Sequence, residues 1–105
     1  MPQNSLKSYE TMYIIRPNLD EEAVDRVVLA VEEYIKGLGG IVEETDKKGR
    51  RRLAYEVQKM RDGYYVLTNF QAKPDSLAAL KRMMSLHEDI IRTLVVVREK
   101  EAVTP

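Results

Sequence analysis

Apolar positions along the chain repeat with two different periods, and the switches between them mark six elements. Residues 9–15 (Tyr-Glu-Thr-Met-Tyr-Ile-Ile) alternate and are rich in aromatic and β-branched types, which predicts a strand ended by Pro17. From Val24 the period lengthens: Val24, Val27, Val28, Val31, Ile35 and Leu38 fall on one helical face. Asp20 is placed to cap this helix, Glu21 and Glu22 sit at its positive end, and Leu19 with Val24 has the spacing of a hydrophobic staple. Gly39-Gly40 supplies the left-handed residue that stops it, so the helix is expected over about 21–38. A second strand opens at Ile41-Val42, with Gly49 expected as a bulge or bend. Leu53, Tyr55 and Val57 alternate with polar neighbours, so the chain stays extended. Asp62-Gly63 reads as the hairpin turn before a third strand, Tyr64 to Phe70. Pro74-Asp75 opens a second helix whose inner face carries Leu77, Leu80 and either Met83 or Met84. Residues 91–97 are the last strand, and the polar tail from Glu99 is expected to be mobile.

The order β-α-β-β-α-β is that of an α+β, ferredoxin-like split βαβ domain, with two helices on one face of a four-stranded antiparallel sheet. Residues 1–105 are expected to form that one domain, with an ordered core over about 8–98 and short flexible tails. A half-covered sheet should show one polar set of alternating residues, yet here both sets are apolar. Thr11, Tyr13 and Ile15 oppose Met12 and Ile14, and Tyr65 and Leu67 oppose Tyr64 and Val66. That pattern suggests a second protein on the face left open, with Met12, Ile14, Tyr65 and Leu67 as candidate contacts.

Charge sharpens the picture. The chain is formally neutral, with 17 basic and 17 acidic residues, but the signs are segregated. Residues 1–46 carry four basic and ten acidic groups, whereas residues 47–61 carry seven basic groups against Glu56 alone. Local fields steer a charged partner more than the whole-molecule sum does. Three consecutive arginines, Arg50, Arg51 and Arg52, present planar forks suited to phosphate. The competing expectation is a solvated basic loop that pairs with Glu43, Glu44 and Asp46.

Other chemistry is absent from the sequence. There is no cysteine, which fits a reducing, cytoplasmic setting and removes thiolate metal sites. No signal-peptide h-region opens the chain, and its longest aliphatic run, Val27 to Val31, is far too short to span a bilayer. His87 is the sole histidine, no phosphate loop occurs, and Glu32-Glu33 and Glu43-Glu44 diverge on helix and strand respectively. The chain is therefore expected to be no enzyme, with no catalytic residues, cofactor, metal or small-molecule substrate. Tyr64 and Tyr65 are adjacent and point to opposite faces, unlike the spaced aromatics of an RNA-stacking RRM strand.

The run Gly49-Arg50-Arg51-Arg52-Leu53-Ala54-Tyr55-Glu56-Val57-Gln58-Lys59 closely resembles the signature of bacterial small-subunit ribosomal protein six. Tyr9-Glu10 with Pro17, and Ile90-Ile91-Arg92 before the last strand, are similar to that family's start and end, so the resemblance spans roughly 8–98. It implies a structural protein of the small ribosomal subunit that binds the central domain of the small-subunit ribosomal RNA together with ribosomal protein eighteen. Arg50, Arg51, Arg52, Lys59 and Arg92 are then the expected RNA contacts. One departure stands out: Glu56 occupies the place where the family usually has proline, which restores a backbone donor and adds a negative charge. The alternative is a ferredoxin-like regulatory domain that dimerises through its sheet and binds a small ligand. Its expected polar pocket and strand-end glycine are missing at Arg16-Pro17-Asn18.

Overall fold

The computed structural model describes residues 6–98. The tails expected to be flexible lie outside the described residues. Its elements are β1 (Lys7–Ile15), α1 (Glu21–Gly37), β2 (Ile41–Val57), β3 (Met60–Ala72), α2 (Leu77–Leu86) and β4 (Ile90–Val97), with one 3-10 turn, Pro74–Ser76, leading into α2. The strands form one antiparallel sheet in the order β2-β3-β1-β4, the split-βαβ architecture that the element order predicts.

Alternation along β1 decides which side of the sheet is core. Tyr9, Thr11, Tyr13 and Ile15 are buried against the helices together with Val66, Phe70 and Ala72 of β3. From above, α1 contributes Val24, Val27, Val28, Val31 and Ile35, and α2 contributes Leu80 and Met84. Of the two methionines that the sequence left open, Met84 is fully buried and Met83 packs at the margin. The two buried threonines are bonded rather than stranded. Thr11 Oγ1 donates to the Leu94 carbonyl at 3.1 Å, and Thr68 lies 3.3 Å from Thr45, whose hydroxyl donates to Glu32 at 2.6 Å. These hydrogen bonds satisfy the two buried hydroxyls locally, as a dry interior demands. Burial also pushes the Tyr13 hydroxyl well above the ordinary phenol range.

Helix ends follow the expected chemistry. The Asp20 carboxylate accepts from the Ala23 N–H at 2.8 Å, with Glu21 and Glu22 in the first turn. Leu38 caps the other end, and Gly39 takes φ +88°.

The middle hairpin differs from the reading of the sequence. Its turn is Gln58–Lys59, where both residues hold positive φ (52° and 67°) and Val57 faces Met60. Two positive-φ residues between paired strands give the hairpin twist of a type I′ turn, here without glycine or asparagine. Asp62 and Gly63 instead lie inside β3, opposite Arg52 and Arg51. Gly63 is there because of a close approach: a Cβ at that position would collide with Ile14 Cγ2 and come within 3.5 Å of Leu53 Cδ2. Ile14, Leu53 and Ile91 form a second, small buried cluster on the open face of the sheet, flanked by Val57, Met60 and Tyr65. Because Ile14 is held on several sides, Gly63→Ala is expected to destabilise the protein by about 1–3 kcal/mol, the range for overpacking. Urea unfolding measures it, and an unchanged midpoint would mean that Ile14 moves aside freely.

Gly49 is the irregularity that the sequence suggested. It takes φ +95°, at a register shift between Lys47 and Gly49.

Candidate functional site

The basic segment lies on β2, an edge strand, and on the hairpin arm that carries β2 and β3 beyond the end of β1. The β1–β3 pairing stops at Ile15–Tyr64, whereas β2 and β3 continue through Arg51–Gly63 and Arg52–Asp62 and, beyond a register shift, pair again at Val57–Met60 beside the turn. Strand pairing fixes the backbone of this arm and leaves long cationic side chains free to project.

Within the segment, the basic groups divide. Lys47 Nζ bonds Asp25 at 2.5 Å and lies 3.8 Å from Glu21, so it ties β2 to the start of α1. The hydrogen bond to Asp25 raises its pKa above the ordinary lysine value. Tyr64 sits beside this cluster, its hydroxyl 3.4 Å from Glu21, and burial with the nearby carboxylate pushes its pKa up. Lys48 pairs with Asp46 at 3.0 Å, and Arg61 with Glu56 at 3.6 Å. Arg50, Arg51, Arg52 and Lys59 are exposed and make no ion pair among the described residues. The solvated-loop alternative thus accounts for Lys48 alone. Glu43 is engaged elsewhere, by Arg98 at 2.8 Å and Gln71 at 2.6 Å. Glu56, the departure from the family pattern, neutralises Arg61 rather than the arginine triplet.

The open face of the sheet carries the second feature. Here Tyr55, in the part of β2 between Arg52 and Val57 that leaves register with β3, meets β4, with the Arg92 guanidinium carbon 5.3 Å from the centre of its ring. Between them lies an apolar cleft of about 210 Å³, lined by Met12, Ile14, Leu53, Tyr55, Tyr65 and Leu94, with Arg92 at its side. Of the residues expected to meet a partner, Met12 is exposed and Tyr65 half-buried, both in the cleft. Ile14 is sealed by Leu53 and Ile91 and forms the floor, and Leu67 is half-buried on the same face outside the cleft. Arg92, grouped in the sequence with the arginine triplet, is placed by the structure among these apolar residues. Leu53, Tyr55, Leu94 and Val96 complete the surface, and only their alternation hinted at it.

His87 caps α2 and accepts the Asp89 N–H at its Nδ1 (3.1 Å), a structural role. No group of acidic, histidine or cysteine side chains suited to a metal occurs among the described residues, and no helix there is long and apolar enough to cross a membrane.

Comparison with known proteins settles the lineage. The family model for ribosomal protein S6 matches residues 8–97, nearly all of the described chain. The chain belongs to the ribosomal protein S6 family. Small ribosomal subunit protein bS6 of Exiguobacterium sibiricum is 42% identical over 95 residues, covering 90% of this chain and all of that protein. The protein of the same name from Carboxydothermus hydrogenoformans is 39% identical, covering 90% of this chain and 99% of its own length. Among solved structures, the crystal structure of 30S ribosomal protein S6 from Thermotoga maritima aligns with a TM-score of 0.84 at 29% identity, over 90% of this chain and 89% of that one. S6 proteins are constituents of the small ribosomal subunit and not enzymes, so the non-catalytic reading holds on descent and not merely on missing motifs. Membership also displaces the ligand-binding regulatory domain. The S6 fold here sets the arginine triplet on β2 opposite Tyr64, Gly63 and Asp62, and the residues that follow it, Leu53 and Tyr55, line the apolar cleft.

Proposed function

We propose that this chain, acting as one domain in the cytoplasm, binds the central domain of small-subunit ribosomal RNA together with ribosomal protein eighteen. The observation that carries the RNA half is the set of cations Arg50, Arg51, Arg52 and Lys59, exposed on the hairpin arm and without an ion pair among the described residues. Their guanidinium forks neutralise phosphates and release counterions, which gives affinity and position with little direct base readout. The open sheet face supports the partner half. Met12, Leu94 and Val96 are exposed there at 37%, 58% and 42% around the apolar cleft, an arrangement suited to a protein surface. Arg92, stacked on Tyr55 at the cleft's edge, serves the partner face or the junction between partner and RNA.

Alone, the chain is expected to bind RNA weakly. It is neutral overall, and its acidic first 46 residues oppose phosphate. Three to five phosphate contacts then correspond to a Kd on the order of 10⁻⁴–10⁻⁶ M. With the partner docked, two weak encounters become one, and linkage requires RNA to tighten the protein–protein complex by the same factor. Filter binding with each protein alone and with both tests this, with footprinting of the RNA to locate the contact. Nanomolar binding by this chain alone at physiological salt would overturn it.

A further inference from the structure

The two edges of the sheet are built differently, and the difference points to a second interaction surface. β2 is a poor template for another strand: it carries nine charged residues and three register shifts against β3. Charges and bulges of this kind blunt an edge. β4 has neither device over its last five residues. Thr93 to Val97 pair with Tyr13 to Tyr9 in unbroken register, contain no charged side chain, and leave Leu94, Val96 and Val97 exposed at 58%, 42% and 63%.

Hydrogen-bond alternation shows which backbone groups are on offer. The Arg98 N–H donates to the Ser8 carbonyl at 2.9 Å, toward β1. In an antiparallel pair the groups of alternate residues turn inward and outward, so Thr93, Val95 and Val97 direct their N–H and C=O groups away from the sheet. Beside that edge runs a groove of about 630 Å³ between β4 and α2, lined by Ala78, Lys81, Arg82, Ser85, Thr93 and Val95. Lys81 and Arg82 are exposed and form no ion pair among the described residues.

We propose that the β4 edge accepts an extended, acidic segment of another protein as a fifth strand, with its carboxylates set against Lys81 and Arg82. Main-chain bonds to Thr93, Val95 and Val97 supply affinity, as in other strand additions, and the two cations select for acidic side chains on the helix side. Charge also argues against a second copy of this chain as the occupant. Two β4 edges paired about a two-fold axis would bring Lys81 and Arg82 of both copies into facing positions.

The test uses the full chain and a capped peptide of alternating Glu with Val or Thr, with a Lys-for-Glu peptide as control. Hydrogen exchange read by NMR is expected to show slowing at the Thr93, Val95 and Val97 amides with the acidic peptide only. The variant Lys81→Glu/Arg82→Glu, whose substitutions lie on the surface, is expected to fold normally. It should weaken binding roughly fivefold or more, the scale of two exposed charge pairs. Three results would each overturn the proposal: no slowing at millimolar acidic peptide, slowing that survives the charge reversal, or equal slowing with the Lys peptide. Concentration-dependent slowing of the same amides without any peptide would also overturn it and assign the edge to self-association.

Discussion

Replacing Arg50, Arg51 and Arg52 together by alanine is expected to leave folding intact and to remove most of the salt-dependent affinity for RNA. All three are exposed, sit on a strand held by its backbone pairing to β3, and make no ion pair among the described residues. Surface substitutions of this kind change stability by within about 0.5 kcal/mol each. If each arginine neutralises one phosphate, the slope of log K against log salt shrinks by about 2–3, between the single-strand and duplex coefficients. Over the range from 50 to 200 mM salt, that difference amounts to roughly a 20- to 40-fold change in affinity that the variant no longer shows. The same titration on Lys47→Ala should keep its slope, because Lys47 is committed to Asp25 and Glu21. An unchanged slope in the triple variant would remove these arginines from the contact set.

Ile35→Ala should cost about 2–4 kcal/mol, the usual penalty for emptying a buried aliphatic site. Ile35 is 1% exposed and belongs to the main core cluster. It also supports the end of α1. A Cβ on Gly40 would lie 2.8 Å from Ile35 Cγ2 and 2.7 Å from the Gln71 carbonyl, so the chain leaving the helix is pressed between helix and sheet. Collapse into the vacated space is therefore restricted, which keeps the cavity cost high. For a domain of this size the loss lowers Tm by roughly 10–30 °C. Urea unfolding gives the free energy directly, and a loss under about 0.5 kcal/mol, the range of surface sites, would place Ile35 outside the core.

The residues that made the fold legible were those with a strong local pattern. Asp20, the valines of α1 and Gly39 marked the first helix because capping and period act within a few residues. The hairpin turn departs from its local signal for an equally physical reason. Asp-Gly is a strong local turn signal, but Gly63 answers a tertiary demand, contact with Ile14, while Gln58–Lys59 adopt the turn without favourable residues. Because β2 and β3 pair on either side of those two residues, cross-strand contacts dictate the turn. The inward set of β1 was ambiguous because Ile14 is nearly as buried as Tyr13; the small cluster with Leu53 and Ile91 supplies a second apolar environment. Arg50, Arg51 and Arg52 stood out by composition. Arg92 is not separable from them by sequence, since its stacking on Tyr55 joins residues 37 apart.

The sheet order also has a consequence for the newborn chain. β1 is an inner strand and leaves the peptidyl-transfer centre first, yet its neighbours are β3 and β4, which complete at Ala72 and Val97. Until β3 is made, β1 has no backbone partner, and until β4 is made, one side of it stays open. The β2–β3 hairpin needs only consecutive residues and can zip early, so the local part of the sheet precedes the distant part. The N-terminal strand is thus locked only after two strands of later sequence, the second ending at Val97, have been made.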